Sequence, residues 1–209
     1  MNSKERKEKL LELLQPGDVL NSDSKPRWWE FWMRVLYAEI RRYQKRKWKG
    51  RSPRKRGWRD VHSMLYLGDG RFLSVTVPRS VICELEVSER AKYRICRYQS
   101  EDWNFREEEL AVLKDAAQLL VGHGYDYGQL LDILLKQLFP SFVKEKLSLF
   151  DFGRKRKVCS VGVHFCFLAW WYKFAKEIYP RPLGKQYLEI TCPADFANHE
   201  TFKVIAEDI

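Results

Sequence analysis

Residues Lys157–Tyr172, KVCSVGVHFCFLAWWY, place Cys159 at the start of a long apolar run, directly after the basic cluster Arg154-Lys155-Arg156-Lys157. We read the stretch as the first turns of a buried helix with a thiol at its N-terminal end. Unpaired backbone N–H groups and the helix dipole favour an anion there, and the nearby cations push the same way. The Cys159 thiol is therefore expected to lose its proton more easily than a free cysteine. The plainer reading makes Cys159 a small core hydrophobe. What raises the weight of a nucleophile is a histidine far upstream, in a different kind of element.

That histidine is His62, in VHSMLYL-GDG-RFLSVTV at residues 61–77, which reads as a β-hairpin. Val61, Leu65 and Leu67 share one face of the first strand; Leu73, Val75 and Val77 share one face of the second. Both sets face one core if Gly68-Asp69-Gly70 is a three-residue loop. Leu67 then pairs with Arg71, Met64 with Ser74 and His62 with Thr76, whereas a two-residue Asp-Gly turn would undo that register. The other face carries His62, Met64, Tyr66, Ser74 and Thr76. Histidine on a strand and cysteine at a helix start are the parts of a thiol nucleophile and its base. The imidazole takes the thiol proton, or holds a thiolate–imidazolium pair, and returns a proton to the leaving group. Ser74 or Thr76 could orient the imidazole, although a neutral hydroxyl stabilises imidazolium less than a carboxylate does. Backbone N–H groups at the helix start could form an oxyanion hole.

Upstream, residues 3–14 form an amphipathic helix stopped at Pro16, and Gln15-Pro16-Gly17-Asp18-Val19-Leu20 is a turn feeding a short strand. Trp28, Trp29, Phe31, Trp32, Val35, Leu36, Ile40 and Tyr43 recur at helical spacing. Residues 41–59 then hold eleven Lys or Arg and no acid. An aromatic helix running into a basic tract suits an anionic membrane surface. It also suits a nucleic-acid backbone with bases stacked on rings, which we rank lower. Alternatively, the aromatic stripe packs on the domain and the basic loop is only solvated. Downstream, strands are expected at 81–87 and 93–98, helices at 105–120 and 129–139, a turn or short helix at 192–196 and a last strand at 202–205.

The 209 residues suit one domain with a substantial core, here taken as 1–209 with an N-terminal helix (3–14) and a Trp-rich, basic insertion (26–59). Lys plus Arg number 38 against 28 Asp plus Glu, and the net charge of +10 points to an acidic partner. Five cysteines, an odd count with no CxxC pair, and an N-terminus without a signal-peptide core suggest free thiols in a reducing compartment. No apolar run approaches the roughly 18 residues of a membrane span. The chain is thus expected to be cytoplasmic or peripheral to a membrane. Cys159, His164 and Cys166 are close in sequence, but not at zinc-site spacing, so no metal or other cofactor is expected. His164, five residues past Cys159, falls off its helix face and reads as structural; His123 and His199 lie in turn and C-terminal contexts.

Several of these segments together resemble the circularly permuted branch of the NlpC-type papain-like cysteine hydrolases, which includes YiiX-like proteins and, more distantly, lecithin retinol acyltransferase-like enzymes. Gln15–Leu20 resembles the family's opening PGD strand, and Val61–Gly68 its histidine strand. Tyr125-Asp126-Tyr127 resembles its YD element, Cys159–Val163 its nucleophile turn, and Pro193-Ala194-Asp195-Phe196 its closing P-D segment. They span nearly the whole chain in the permuted order, histidine before cysteine. The resemblance implies an α+β, permuted papain-like fold with an antiparallel sheet packed against the cysteine helix. It makes Cys159 the nucleophile and His62 the base, with Tyr125 shaping the oxyanion site. Two departures are Ser74, where the family often has a stronger polar group, and Gly162, where it has an acid. The implied activity is a peptidase, amidase, thioesterase or acyltransferase acting on a peptide, amide or acyl-ester substrate, at an anionic membrane or wall polymer reached through residues 26–59. The competing expectation is an inert core serving as a basic membrane- or nucleic-acid-binding module.

Overall fold

Hydrophobic alternation in five strands and two long apolar helix faces builds a layered α+β structure. The computed structural model describes residues 2–24, 31–50, 58–76, 78–99, 103–125, 156–184 and 191–209. In order these form α1 (Ser3–Leu13), β1 (Val19–Asp23), α2 (Phe31–Lys47), β2 (His62–Gly68), β3 (Arg71–Ser74), β4 (Val81–Glu84), β5 (Lys92–Tyr98) and α3 (Glu107–Leu120). After them come β6 (Gly124–Tyr125), β7 (Arg156–Lys157), α4 (Cys159–Trp170), a π-helical turn (Trp171–Ala175), α5 (Pro193–Asn198) and β8 (Phe202–Glu207). The helix expected at 129–139, the cations Arg154 and Lys155, and the side chains of Trp28, Trp29, Phe31, Trp32, Leu36 and Tyr125 lie outside what is described.

The main sheet is antiparallel throughout, in the order β4-β3-β2-β1-β5-β8. Odd-numbered residues of β1 and β2, such as Val19, Leu65 and Leu67, pack with Leu73, Val75 and Tyr98 under α3 and α4. Even-numbered Leu20 and Tyr66 pack with Phe72 and Ile95 against Leu10 and Leu14, at the end of the chain's first helix. Apolar area removed from water on both faces is the main stabilising term.

The β2–β3 hairpin differs from the expected three-residue loop. Its turn is two residues, Asp69 and Gly70, both at positive φ (52° and 70°) as a twist-matched tight turn requires. The register shifts between Tyr66 and Gly68, so Gly68 rather than Leu67 lies opposite Arg71. This bulge adds the residue that the shorter turn removes, so Leu65 still faces Leu73 and Met64 still faces Ser74. The predicted His62–Thr76 pair does not form, because β3 ends at Ser74.

Gly162 sets how closely α4 approaches the sheet. A Cβ there would lie 2.6 Å from Val75 Cγ2, a buried side chain with nowhere to move. The acid usual at this place in the resembled family cannot be accommodated by this packing. Gly162→Ala should gain up to about 1 kcal/mol in helix propensity but lose about 1–3 kcal/mol to overpacking. The expected result is net destabilisation, seen as a lower urea midpoint; an unchanged or higher midpoint would mean that the helix can shift freely.

The described part of the insertion is docked on the domain through α2. Gln44, fully buried on α2, donates to the Trp58 and Asp60 carbonyls (3.0 and 2.7 Å) and accepts from the Ala194 N–H (2.7 Å). Arg41 pairs with Asp23 and bonds the Ser24 carbonyl. Lys47 Nζ and Trp48 Nε1 each reach an Asp195 carboxylate oxygen at 2.8 Å. The acid of the closing P-D segment is therefore a clamp on α2. No helix among the described residues is long and apolar enough to cross a membrane.

Candidate active site

The short parallel pair β6–β7 sets Tyr125 opposite Lys157, two residues before Cys159. Val158 is extended (φ −90°, ψ 161°), so the chain turns into helix at Cys159. The cysteine is the first helical residue, as the sequence suggests, and it is only 4% exposed. Its thiol meets backbone N–H groups of Ser63, Ser160 and Cys159 itself, together with the Ser160 side chain. Those contacts favour thiolate, but burial outweighs them and raises the thiol pKa above its usual value. The expected lowering of the pKa is thus overturned: desolvation of the charged form exceeds the help of the helix N-terminus.

Ser63, whose N–H favours the thiolate, lies on β2 beside His62. Tyr66 N–H bonds the Asp18 carbonyl on the β1 side. N–H groups alternate sides along a strand, so the Ser63 N–H points toward β3. The β3 ladder ends at Ser74, opposite Met64, one step short of Ser63. His62 is the next residue along the strand.

His62 opens β2, paired with Ser22 on β1. Its Nε2 lies 3.2 Å from Ser74 Oγ across the hairpin. The ring is half-buried, and desolvation of the imidazolium holds its pKa down at about 4. Thr76, beyond the end of β3, makes no described hydrogen bond to His62. Thus the structure pairs His62 with Ser74 on the even-numbered face of the sheet, places Cys159 in the core under α3 and α4, sets the Tyr125 backbone beside the strand leading to Cys159, and leaves Thr76 outside the ladder.

Asn21 is a residue that sequence reasoning missed. It is fully buried, accepts from Ser63 Oγ (2.7 Å), and donates to the Pro193 carbonyl (2.8 Å) and Asp60 Oδ2 (3.0 Å). It braces the Ser63 peptide that faces the thiol. The available signal was a polar side chain sharing the Val19 face of β1. Asp60 in turn forms a buried ion pair with Arg94.

His164 is fully buried with both nitrogens engaged, Nδ1 at 2.7 Å from Thr191 Oγ1 and Nε2 at 3.2 Å from the Pro182 carbonyl. Burial lowers its pKa to about 4, so it is a neutral structural group, as expected. Nδ1 of His199 lies 2.9 Å from Thr201 Oγ1. Among the described residues no three His, Cys, Asp or Glu side chains gather as a metal site would require.

No family model and no curated protein matches this chain. Among solved structures, it is similar to the crystal structure of the metalloprotein YiiX from Escherichia coli O157:H7, DUF1105, with a TM-score of 0.51 and 12% identity. The match covers 92% of this chain and 97% of that one. At this identity the likeness is one of fold: this chain, α+β with a six-stranded antiparallel sheet, is similar in fold to YiiX over nearly the full length of both chains.

Proposed function

We propose that the chain is a thiol-dependent hydrolase or acyltransferase of the permuted papain-like, NlpC-type arrangement, with Cys159 as nucleophile, His62 as base and Ser74 as the orienting residue. The observations that support this reading are Cys159 at the first position of α4, near the Ser63 N–H of β2, and His62, next to Ser63 in sequence, with its Nε2 3.2 Å from Ser74 Oγ. Nδ1 is then the nitrogen left to handle the thiol proton. The 3.2 Å contact, and the end of β3 at Ser74, support Ser74 over Thr76.

In the proposed reaction Sγ attacks the carbonyl carbon of an amide, peptide, ester or thioester while its proton moves to His62. Backbone N–H groups at the start of α4 offer donors for the oxyanion. Collapse expels the amine, alcohol or thiol, which takes the proton from His62 and leaves an acyl-thioester on Cys159. Water or an acceptor nucleophile then gives its proton to His62 and attacks the thioester, releasing the acyl group and returning the proton to Sγ. YiiX is a metalloprotein. The described residues of this chain do not fit such a site: the nitrogens of His164 are engaged, and no ligand cluster forms around Cys159. No step is routed through a metal.

The raised thiol pKa and the neutral hydroxyl at Ser74 favour a second reading, in which the core is inert. Iodoacetamide labelling, read cysteine by cysteine by mass spectrometry in wild type and His62→Ala, separates the two. Exposed Cys83 serves as the internal reference. The enzyme reading expects Cys159 to outpace Cys83 near pH 6, and His62→Ala to slow Cys159 at least tenfold while leaving Cys83 unchanged. Equal rates, or indifference to His62, would give the inert reading.

A further inference from the structure

The cationic side of α2 has no role in the thiol chemistry, yet the fold presents it rigidly. At about 100° per residue, Arg34, Arg42, Lys45 and Arg46 fall within roughly 120° of arc, along about 18 Å of helix. All four are exposed, and Lys49 extends the row in the following turn. The positions of Phe31, Val35 and Ala38 fall within the same arc and Glu39 lies at its border, paired with Arg42. The opposite face is locked to the domain through Arg41, Gln44, Lys47 and Trp48. Arg34, Arg46 and Lys49 have no ion-pair partner among the described residues. A helix fixed on one side, with a row of unneutralised cations on the other, is a docking surface for a polyanion.

We infer that this face docks on the phosphate headgroups of an anionic lipid surface, by electrostatics and without insertion. Three observations favour lipid over nucleic acid. The Trp58 ring at this site is already flanked by Lys45 and Arg59, each 5.4 Å from its centroid, so it offers no free platform for a base. Among its described side chains the arc bears cations with Val35 and Ala38, and no aromatic on which a base could stack. In addition, α2 is anchored at the end of the sheet where Ser22 pairs with His62, so docking would bring a lipid surface to that end of the molecule. The side of the helix that carries Gln44 and Lys47 is bonded to the domain, and the cations on the other side act by charge. The inference stands whether or not Cys159 is a nucleophile.

The test is co-sedimentation of the full chain with phosphatidylcholine vesicles, with and without phosphatidylglycerol, beside the triple variant Arg34→Gln, Arg46→Gln and Lys49→Gln. These side chains are exposed, so the variant should keep the wild-type unfolding midpoint. Binding is expected only with phosphatidylglycerol present, at an ionic strength where the screening length is about 10 Å, and should vanish where it is about 3 Å. Each cation near such a surface contributes about fivefold, so the folded variant should bind roughly a hundredfold more weakly. Absence of binding to the anionic vesicles overturns the inference, as does binding that the variant retains. Tighter, Arg46-dependent binding to a single-stranded oligonucleotide than to the vesicles would overturn it in favour of nucleic acid.

Discussion

Asp18→Ala should destabilise the protein by about 3–5 kcal/mol, the loss expected when one partner of a buried ion pair is removed. Asp18 is 1% exposed and meets Arg97 through both oxygens, with Nε–Oδ1 and Nη2–Oδ2 each at 2.8 Å. Its Oδ2 also accepts the Gln15 N–H at 2.8 Å, and Arg97 Nη2 donates to the Leu13 carbonyl at 3.0 Å. The pair therefore ties the end of α1 and the Pro16-Gly17 turn to β5. Burial raises the Asp18 pKa against the pull of Arg97, which indicates that desolvation consumes much of the attraction. The net worth of the intact pair is accordingly small; the cost comes from stranding a buried guanidinium. Replacing both partners by apolar residues of similar volume should recover most of the loss, whereas either single change should not. Urea unfolding of the two single variants and the double variant measures this directly. A single-variant loss below about 1 kcal/mol would mean that water reaches Arg97 and the pair is not effectively buried.

That result also bears on the site. The Asp18 carbonyl accepts the Tyr66 N–H, four residues along β2 from His62. The PGD segment resembles the opening strand of the family named above. In this structure its acid serves as a structural anchor, and its glycine, at φ 95°, sits under the Phe105 ring, where a Cβ would come within 2.3 Å of a ring carbon.

The sheet was legible in the sequence because its strands alternate cleanly and its turns carry Gly and Asp. The hairpin register shows where such reading stops. Parity demanded that Leu65 and Leu73 share a face, and they do, but two backbone solutions satisfy parity: a three-residue loop, or a tight turn plus a bulge. Side-chain alternation cannot tell them apart, because the bulged Leu67 is apolar in either case. Placement of Cys159 at a helix start was also readable, from the apolar run that follows a basic, polar stretch. Its pKa was not. Dipole and neighbouring cations can be counted along the chain, whereas desolvation depends on what packs over the thiol. Here the β2 backbone and the α3–α4 core cover it. The role of α2 was ambiguous for a similar reason. Its composition suits a membrane surface, a nucleic acid or a core, and only the buried partners of Gln44, Lys47 and Trp48 assign its inner face to the fold.

The pH dependence of Cys159 alkylation should distinguish a working pair from two isolated groups. Burial lowers the His62 pKa to about 4 and raises the thiol above its ordinary value. Between those limits the pair holds one dissociable proton, shared as thiol–imidazole or thiolate–imidazolium, and the two macroscopic steps belong to the pair. The wild-type rate should therefore rise through about pH 4 as the first proton leaves, and then stay flat through neutral pH. Its height reports the fraction present as thiolate–imidazolium, which ultraviolet absorbance of the thiolate measures independently. A flat profile through neutral pH requires that fraction to exceed the free-thiolate fraction, so a plateau reports an attraction within the pair that two separately desolvated groups would not show. In His62→Ala the plateau disappears. The rate then follows free thiolate alone and climbs tenfold per pH unit toward a pKa above the usual thiol range. At pH 6 that leaves less than about one thiolate in several hundred, so the gap between the two proteins should be widest in mild acid and close as the thiol ionises. Ser74→Ala should preserve the plateau but lower it, because losing the Nε2 partner frees the imidazole to rotate. A tenfold-per-unit slope in the wild type across neutral pH would show that His62 does not share the Cys159 proton, and would sink the catalytic assignment.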